Sequence, residues 1–97
     1  MALTPEQRRE LRQLIEEEYG SFAEAARSGA DQLHAARQLR ALDGARRRLA
    51  DGTYGSCITC GRDIEFDRLI AHPAAERCFS CQDGHERRAL GRSDPRP

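Results

Sequence analysis

The sequence predicts a mainly α-helical protein, with an antiparallel helical hairpin of the coiled-coil type followed by a small module built on four cysteines and by a C-terminal helix. Three observations predict this order. Apolar residues recur at steps of three or four through the first half of the chain, a short polar turn divides that half in two, and two CxxC pairs follow it.

The first helix is expected over about residues 5–27. Thr4 is placed to cap it, and Pro5 suits its first turn because the N–H that proline lacks is unpaired there anyway. One continuous helix is favoured, although Ser21 and Glu24 could cap a restart after Gly20, so a kink at Gly20 stays open. Its apolar stripe consists of Leu11, Leu14, Ile15, Tyr19, Phe22 and Ala26.

The second helix is expected over about residues 31–51, after a tight connection that reads SGAD. Asp31 is placed to cap this helix, and Gly52 is a suitable C-terminal stop. A short loop between two helices of similar length predicts an antiparallel hairpin about 30 Å long, from a rise of about 1.5 Å per residue. Its narrow apolar seam consists of Ala35, Leu39, Leu42, Ala45 and Leu49.

Composition limits both the core and the partners. The chain has 97 residues, of which 38% are hydrophobic and 33% charged, so something besides an apolar core must help to hold the fold. Sixteen arginines balance sixteen acidic residues and there is no lysine, which argues against a globally basic nucleic-acid binder. No apolar stretch predicts a signal peptide or a membrane span, and a cytoplasmic protein is expected.

The strongest motif is the pair of CxxC units, which have seventeen residues between them. This spacing predicts a four-thiolate zinc site, since two intervening residues let both sulfurs of a pair reach one ion at about 2.3 Å. Gly61 allows a turn with positive φ after the first pair, so that backbone N–H groups can point at the sulfurs. The predicted ligands are Cys57, Cys60, Cys78 and Cys81.

Other roles for the cysteines are disfavoured. A redox dithiol belongs to a strand–helix unit, and no such alternation precedes Cys57. A catalytic zinc keeps an open position, whereas four cysteines close the shell, so one structural Zn2+ is expected. His34, His72 and His85 are then expected to be surface or packing residues. The sequence shows no nucleophile–base pair and no phosphate loop, so an enzyme is not predicted.

The cysteine segment resembles the zinc module of the DksA/TraR proteins, bacterial regulators that act on RNA polymerase. That module has the pattern G-x-Y-G-x-C-x2-C-G-x2-I, followed by R-L-x-A-x-P-x-A-x2-C-x2-C. The chain fills it with Gly52, Tyr54, Gly55, Cys57, Cys60, Gly61 and Ile64, and then with Arg68, Leu69, Ala71, Pro73, Ala75, Cys78 and Cys81. The expected organisation is a hairpin at 1–51, a DksA/TraR-like four-cysteine zinc finger with its C-terminal helix at 52–90 and a disordered tail at 91–97.

The resemblance implies a regulator that inserts its hairpin into the secondary channel of RNA polymerase rather than gripping DNA. The family's active tip has the form D-x-x-D-x-A, and only Asp31 lines up with it here. Asp31 is therefore the tip candidate, with an ordinary helix N-cap as the other interpretation. The resemblance carries over no contact for the alarmone ppGpp.

Two further functions are weighed against this one. A nucleic-acid-binding zinc finger is suggested by Arg46, Arg47 and Arg48, but few aromatic residues are present to stack on bases. A zinc-stabilised interaction protein without tip activity is the other alternative. It could pair with itself if seam residues such as Leu39 and Leu42 were exposed.

Overall fold

The computed structural model describes residues 3–29 and 31–93, and it has the predicted fold class. Four helices follow one another in this part of the chain: α1 (Pro5–Ser28), α2 (Gln32–Asp51), α3 (Phe66–Ala71) and α4 (Phe79–Ser93). Between α2 and α3 the described backbone forms only an isolated antiparallel bridge, from Ser56 to Asp63. None of the described helices is long and apolar enough to cross a membrane.

The first helix begins at a capping box. The Gln7 N–H donates to the Thr4 hydroxyl at 3.0 Å, and the Gln7 side chain accepts from the Thr4 N–H at 3.0 Å. The helix ends at Gly29, whose φ of 83° suits a residue without a side chain. Two of the otherwise unpaired N–H groups at the start of α1 thus have partners, as the Thr4–Pro5 sequence predicts.

No break interrupts α1 at Gly20, so the question that the sequence left open is answered by one continuous helix. Gly20 is exposed, and a Cβ placed there would meet no atom within 4 Å. The helix continues through Gly20 because the rest of its apolar stripe is packed. The glycine lowers the stability through the conformational entropy that it adds to the unfolded chain.

We expect Gly20→Ala to raise the free energy of unfolding by about 0.5–1 kcal/mol, because it removes that entropy without a clash. Gly29→Ala is the matched control, since its φ of 83° would force a side chain into the left-handed region and lower the stability. Urea unfolding of the two zinc-loaded variants measures both effects. Equal midpoints for Gly20→Ala and the parent protein would contradict the expectation.

The hairpin packs along the stripe that the sequence predicts. Leu11 and Ile15 of α1 are 0% exposed, and they lie in one buried cluster with Leu42 and Ala45 of α2, which are 1% and 0% exposed. Leu42 is therefore unavailable for self-pairing, contrary to the expectation that it could be exposed. Leu39, the other residue named for self-pairing, is half-buried.

A polar clamp crosses the two helices on their outer side. The Arg46 Nε donates to Glu16 Oε2 at 2.8 Å, and the Arg46 guanidinium carbon lies 3.7 Å from the centre of the Tyr19 ring. The hydrogen bond from Arg46 lowers the pKa of Glu16 below its ordinary value. A planar cation held by a carboxylate and an aromatic face gives the hairpin a fixed contact outside its apolar seam.

The turn between α1 and α2 is held by Asp31, with Ala30 outside the described residues. Asp31 adopts φ 37°, and its Oδ1 accepts a hydrogen bond from the His34 N–H at 3.2 Å. The predicted N-cap is therefore present. A short side chain that bonds to the local backbone explains why an aspartate tolerates this left-handed conformation.

The C-terminal helix runs further than the sequence predicts. It ends at Ser93, whereas the expected tail begins at residue 91, and residues 94–97 lie outside the described part of the chain. The apolar periodicity of this helix is weak, so the sequence gives no clear signal for the residue at which the helix ends.

Candidate metal centre

The first cysteine pair lies on a tight backbone loop after α2. The Cys57 N–H donates to the Arg62 carbonyl at 2.7 Å, and the Ile64 N–H donates to the Gly55 carbonyl at 2.7 Å, which closes the loop on both sides. Gly61 has the predicted positive φ, 79°, which lets the chain turn directly after Cys60. Its own N–H bonds to the Cys57 carbonyl at 2.9 Å, while the backbone N–H groups of Thr59, Cys60 and Cys78 bond to the Cys57 sulfur, as the sequence predicts for this turn.

The second pair lies at the start of α4. Cys78 immediately precedes the helix, and Cys81 lies in its first turn. Residues three apart are neighbours on a helical surface, so this spacing brings the two sulfurs to one side. The N-terminus of a helix also favours negative charge, which suits thiolates.

The structure brings the four predicted cysteines together. Their sulfur atoms all lie within 4.8 Å of one another, and the Cys60 and Cys78 sulfurs are 3.8 Å apart. A tetrahedral ion with metal–sulfur distances of about 2.3 Å requires sulfurs about 3.8 Å apart, so the donor set fits Zn2+. None of the four forms a disulfide. The three surplus histidines are not part of the cluster, which is a closed four-cysteine set of the structural kind.

The burial of the cysteines is uneven. Cys57 and Cys78 are 3% and 7% exposed and belong to the hydrophobic core, whereas Cys60 is exposed and Cys81 is half-buried. One sulfur of each pair therefore faces the core and the other faces outward. A metal at this place joins the core of the protein to its surface, which is how a small core gains stability from metal binding.

The thiols favour different protonation states. Burial raises the pKa of Cys57, but backbone N–H groups of Cys60, Cys78 and Thr59 outweigh it and lower this pKa to about 6. Hydrogen bonds with the Cys78 and Cys60 sulfurs keep the proton on Cys81 and raise its pKa to about 12. Four thiolates this close together repel one another unless a cation neutralises them. A coordinating metal supplies that charge and deprotonates its thiols outright.

The arginines beside the cysteines are braces as well as surface charges. Arg68 Nε donates to the Arg77 carbonyl at 3.0 Å, and Arg77 Nε donates to the Thr59 hydroxyl at 3.3 Å. These bonds connect α3, the segment before Cys78 and the first cysteine loop. Arg62, by contrast, is exposed.

The three consecutive arginines at the end of α2 do not form one basic patch. Arg46 is held by Glu16, and Arg47 pairs with Asp43 at 2.6 Å. Arg48 points instead toward the zinc module, where it is 3.8 Å from Glu76. Each has a carboxylate close by, which reduces the positive potential that a nucleic-acid phosphate would meet.

Sequence reasoning missed two residues whose side chains hold the segment before Cys78, Arg48 from the hairpin and Tyr54 from within the zinc module. In the sequence Arg48 belongs to a basic run, and Tyr54 is only a motif position. A helical signal could have found Arg48, because it lies three residues after the buried Ala45 and so borders the apolar seam. No sequence signal points to the Tyr54 hydroxyl, whose partner is a backbone carbonyl.

Fold and site together define a helical hairpin carried on a structural zinc finger with four cysteine ligands. Residues 52–87 match the family described as the prokaryotic dksA/traR C4-type zinc finger. The resemblance found in the sequence is thus confirmed for this segment, which is similar to the zinc fingers of the DksA/TraR proteins.

Similar curated proteins match about half of the chain. The RNA polymerase-binding transcription factor DksA of Caulobacter vibrioides is 45% identical over 47 residues, which are 48% of this chain and 33% of that protein. An uncharacterized protein of Aquifex aeolicus is 41% identical over 49 residues, 50% of this chain and 34% of that one. The match thus spans about a third of the length of each relative.

Solved structures extend the likeness to the hairpin. The RNA polymerase binding protein and transcriptional regulator Dks from Chlamydia trachomatis has a TM-score of 0.72 and 24% identity, covering 92% of this chain and 98% of that one. Transcription factor DksA2 from Pseudomonas aeruginosa has a TM-score of 0.55 and 28% identity, covering 88% and 78% of the two chains. The Chlamydia structure shares the fold of nearly the whole described chain.

Proposed function

We propose that this protein is a cytoplasmic transcription regulator that binds RNA polymerase through a hairpin inserted in the secondary channel. The observation that carries the proposal is the finger match at residues 52–87, joined to a Caulobacter relative whose name states polymerase binding. The protein acts on the enzyme, not as an enzyme, and without gripping DNA. No contact with ppGpp is part of the proposal.

The shape of the hairpin supports this function. Two antiparallel helices of 24 and 20 residues extend from the zinc module, and the shorter helix is about 30 Å long. The Glu16–Arg46 clamp and the buried seam limit bending of the two helices. A stiff, narrow projection with a polar turn suits entry into a channel better than it suits a flat interface.

Asp31 is the proposed acidic residue of the tip. Its carboxylate caps α2 through the His34 N–H, and the residue is exposed at the turn. The capping role and the tip role are compatible, because the cap fixes the position of a charge at the end of the projection. Leu33, 64% exposed, is the large apolar side chain beside it.

Asp31→Asn separates the two roles of this residue. Asparagine caps helices about as well as aspartate and tolerates the left-handed region, so the hairpin should keep its stability while losing the tip charge. We expect the dissociation constant of this variant for core RNA polymerase to lie within about threefold of that of the parent, because the substitution removes only one surface charge. The parent protein is expected to change the lifetime of open promoter complexes, and Asp31→Asn should not change it.

The assay uses the zinc-loaded full chain and core polymerase from the same organism, with open-complex lifetime as the second measurement. Asp43→Asn is the matched control, because Asp43 lies in α2 away from the turn and pairs with the exposed Arg47. If the folded parent protein does not bind polymerase, the proposed function is wrong.

A second candidate is a polymerase-binding protein without tip activity, and the single acidic residue of the turn favours it. Such a protein would occupy the channel and compete with active regulators. Binding to polymerase with no change in open-complex lifetime, for the parent as well as for Asp31→Asn, would select this function over the first.

A further inference from the structure

Arg48 lies where the hairpin meets the zinc module, in the last turn of α2. Its side chain is 17% exposed, whereas that of Arg47, its neighbour in the same turn, is 77% exposed. Burying most of an arginine requires partners for its donors, and Arg48 therefore calls for a role that Arg47 does not have.

The backbone of Arg48 holds the segment that leads to the first cysteine pair. Its carbonyl accepts from the Thr53 N–H at 2.9 Å and from the Tyr54 N–H at 3.1 Å. Gly52, with φ 84°, makes this double contact possible at the helix end. The direction in which the chain leaves α2 toward Cys57 is thus set at this carbonyl.

The side chain of Arg48 holds the segment that leads to the second cysteine pair. Its Nη2 donates to the Ala74 carbonyl at 3.4 Å, and its Nη1 lies 3.8 Å from Glu76 Oε2. Glu76 is two residues before Cys78, and its carbonyl accepts from the Ile58 N–H of the first cysteine loop at 2.9 Å. The forked guanidinium can reach both a carbonyl and a carboxylate, which a lysine cannot do in the same way.

Tyr54 makes a second connection to the same segment. Its hydroxyl donates to the Pro73 carbonyl at 2.7 Å, and the residue is 4% exposed. The Tyr54 bond lies within the zinc module, since both partners follow α2. Arg48 adds a polar contact from the hairpin to this arrangement, beside the apolar contacts of the core cluster that the two parts share.

We infer that Arg48 is a positioning residue that joins α2 to both halves of the zinc module, so that zinc binding fixes the direction in which the hairpin projects. Zinc holds Cys57 and Cys78 together, and Arg48 contacts the segments that lead to each of them. The consequence for transcription rests on the proposed function, because only a hairpin of fixed direction would enter a channel from a docked base. The orientation itself does not depend on any partner.

Residual dipolar couplings of backbone N–H groups in the zinc-loaded, nitrogen-15-labelled protein test this inference directly. In the parent and in Arg47→Ala, one alignment tensor should fit the hairpin and residues 53–78 together. In Arg48→Ala one tensor should no longer fit both parts in the orientation of the parent, because only the shared apolar core then joins them, while the helical circular dichroism stays unchanged. A change in relative orientation with intact helices is a result that a general loss of stability does not give.

Zinc affinity supplies an independent measurement. Competition with a chromophoric chelator should show a zinc dissociation constant about tenfold higher for Arg48→Ala, the lower range of effects seen for groups that support metal ligands. Arg47→Ala should match the parent. If Arg48→Ala does not fold, Arg48→Gln replaces it, since glutamine keeps one donor for the Ala74 carbonyl and loses the contact with Glu76.

One tensor for both parts and an unchanged zinc affinity in the folded variant would overturn the inference. Polymerase binding by the same variants then separates this result from the proposed function. A parent protein that fails to bind polymerase but shows the tensor change leaves the positioning role standing and removes the proposed function. A parent protein that binds polymerase, together with an Arg48→Ala variant whose hairpin keeps its orientation, leaves the proposed function standing and removes the positioning role.

Discussion

Cys78→Ser is expected to abolish zinc binding and to unfold the zinc module, with loss of far-UV helical signal as well. Cys78 is 7% exposed and belongs to the core cluster, so the substitution removes a metal ligand and a buried sulfur together. Structural zinc in small fingers supplies about 10–16 kcal/mol of apparent binding free energy near neutral pH. The whole stability of a small domain is about 5–15 kcal/mol, so the loss is large enough to unfold it.

The size of the core explains why this protein depends on the metal. Only four large side chains are fully buried among the described residues: Leu11, Ile15, Leu42 and Leu69. At about 1.5–3 kcal/mol for each large apolar side chain, they cannot offset the conformational entropy of a chain of this length. A strong chelator should therefore reproduce the effect of Cys78→Ser on the unaltered protein.

Metal analysis and circular dichroism of the purified variant measure the two effects. Ser80→Ala is the matched control, because Ser80 lies two residues further along, in the first turn of α4, and is exposed. A Cys78→Ser protein that keeps one equivalent of zinc, or the urea midpoint of the parent, would show that Cys78 is not an essential ligand.

The elements that depend on residues close together in the sequence were predicted correctly. Thr4 and Pro5 start α1, Gly52 ends α2, and each CxxC unit brings two sulfurs together, because each of these depends on neighbours within a few residues. The zinc site could be predicted almost completely for this reason. The fold class followed from it, since a hairpin and a four-cysteine module leave few other arrangements.

The polar contacts that Arg48 and Tyr54 make with distant parts of the chain could not be predicted in the same way. Arg48 reaches Ala74 across 26 residues of sequence, and Tyr54 reaches Pro73 across 19. Both acceptors are backbone carbonyls, which have no sequence identity to recognise. The end of α4 escaped prediction for a different reason, because an exposed helix with little apolar periodicity has no packing signal to mark its last turn.

Leu42→Ala is expected to lower the free energy of unfolding by about 2–5 kcal/mol, because it leaves a cavity at a side chain that is 1% exposed. Leu33→Ala is the matched control: the same substitution in the same helix, at a leucine that is 64% exposed, should change the stability by less than about 0.5 kcal/mol. Urea unfolding at a fixed concentration of free zinc gives both values, because metal linkage adds to the apparent stability.

The way in which Leu42→Ala unfolds decides whether hairpin and module are one cooperative unit. Leu42 shares its buried cluster with Cys57 and Cys78, so a cavity in the hairpin removes support from the wall of the metal site. With cobalt in place of zinc, the absorption of the metal–thiolate centre reports on the module while far-UV circular dichroism reports mostly on the hairpin. Coincident transitions that shift together are expected of a single unit. A centre that outlasts the helices would mean that the module folds alone, and the Arg48 contacts would then be too weak to hold the hairpin in one direction.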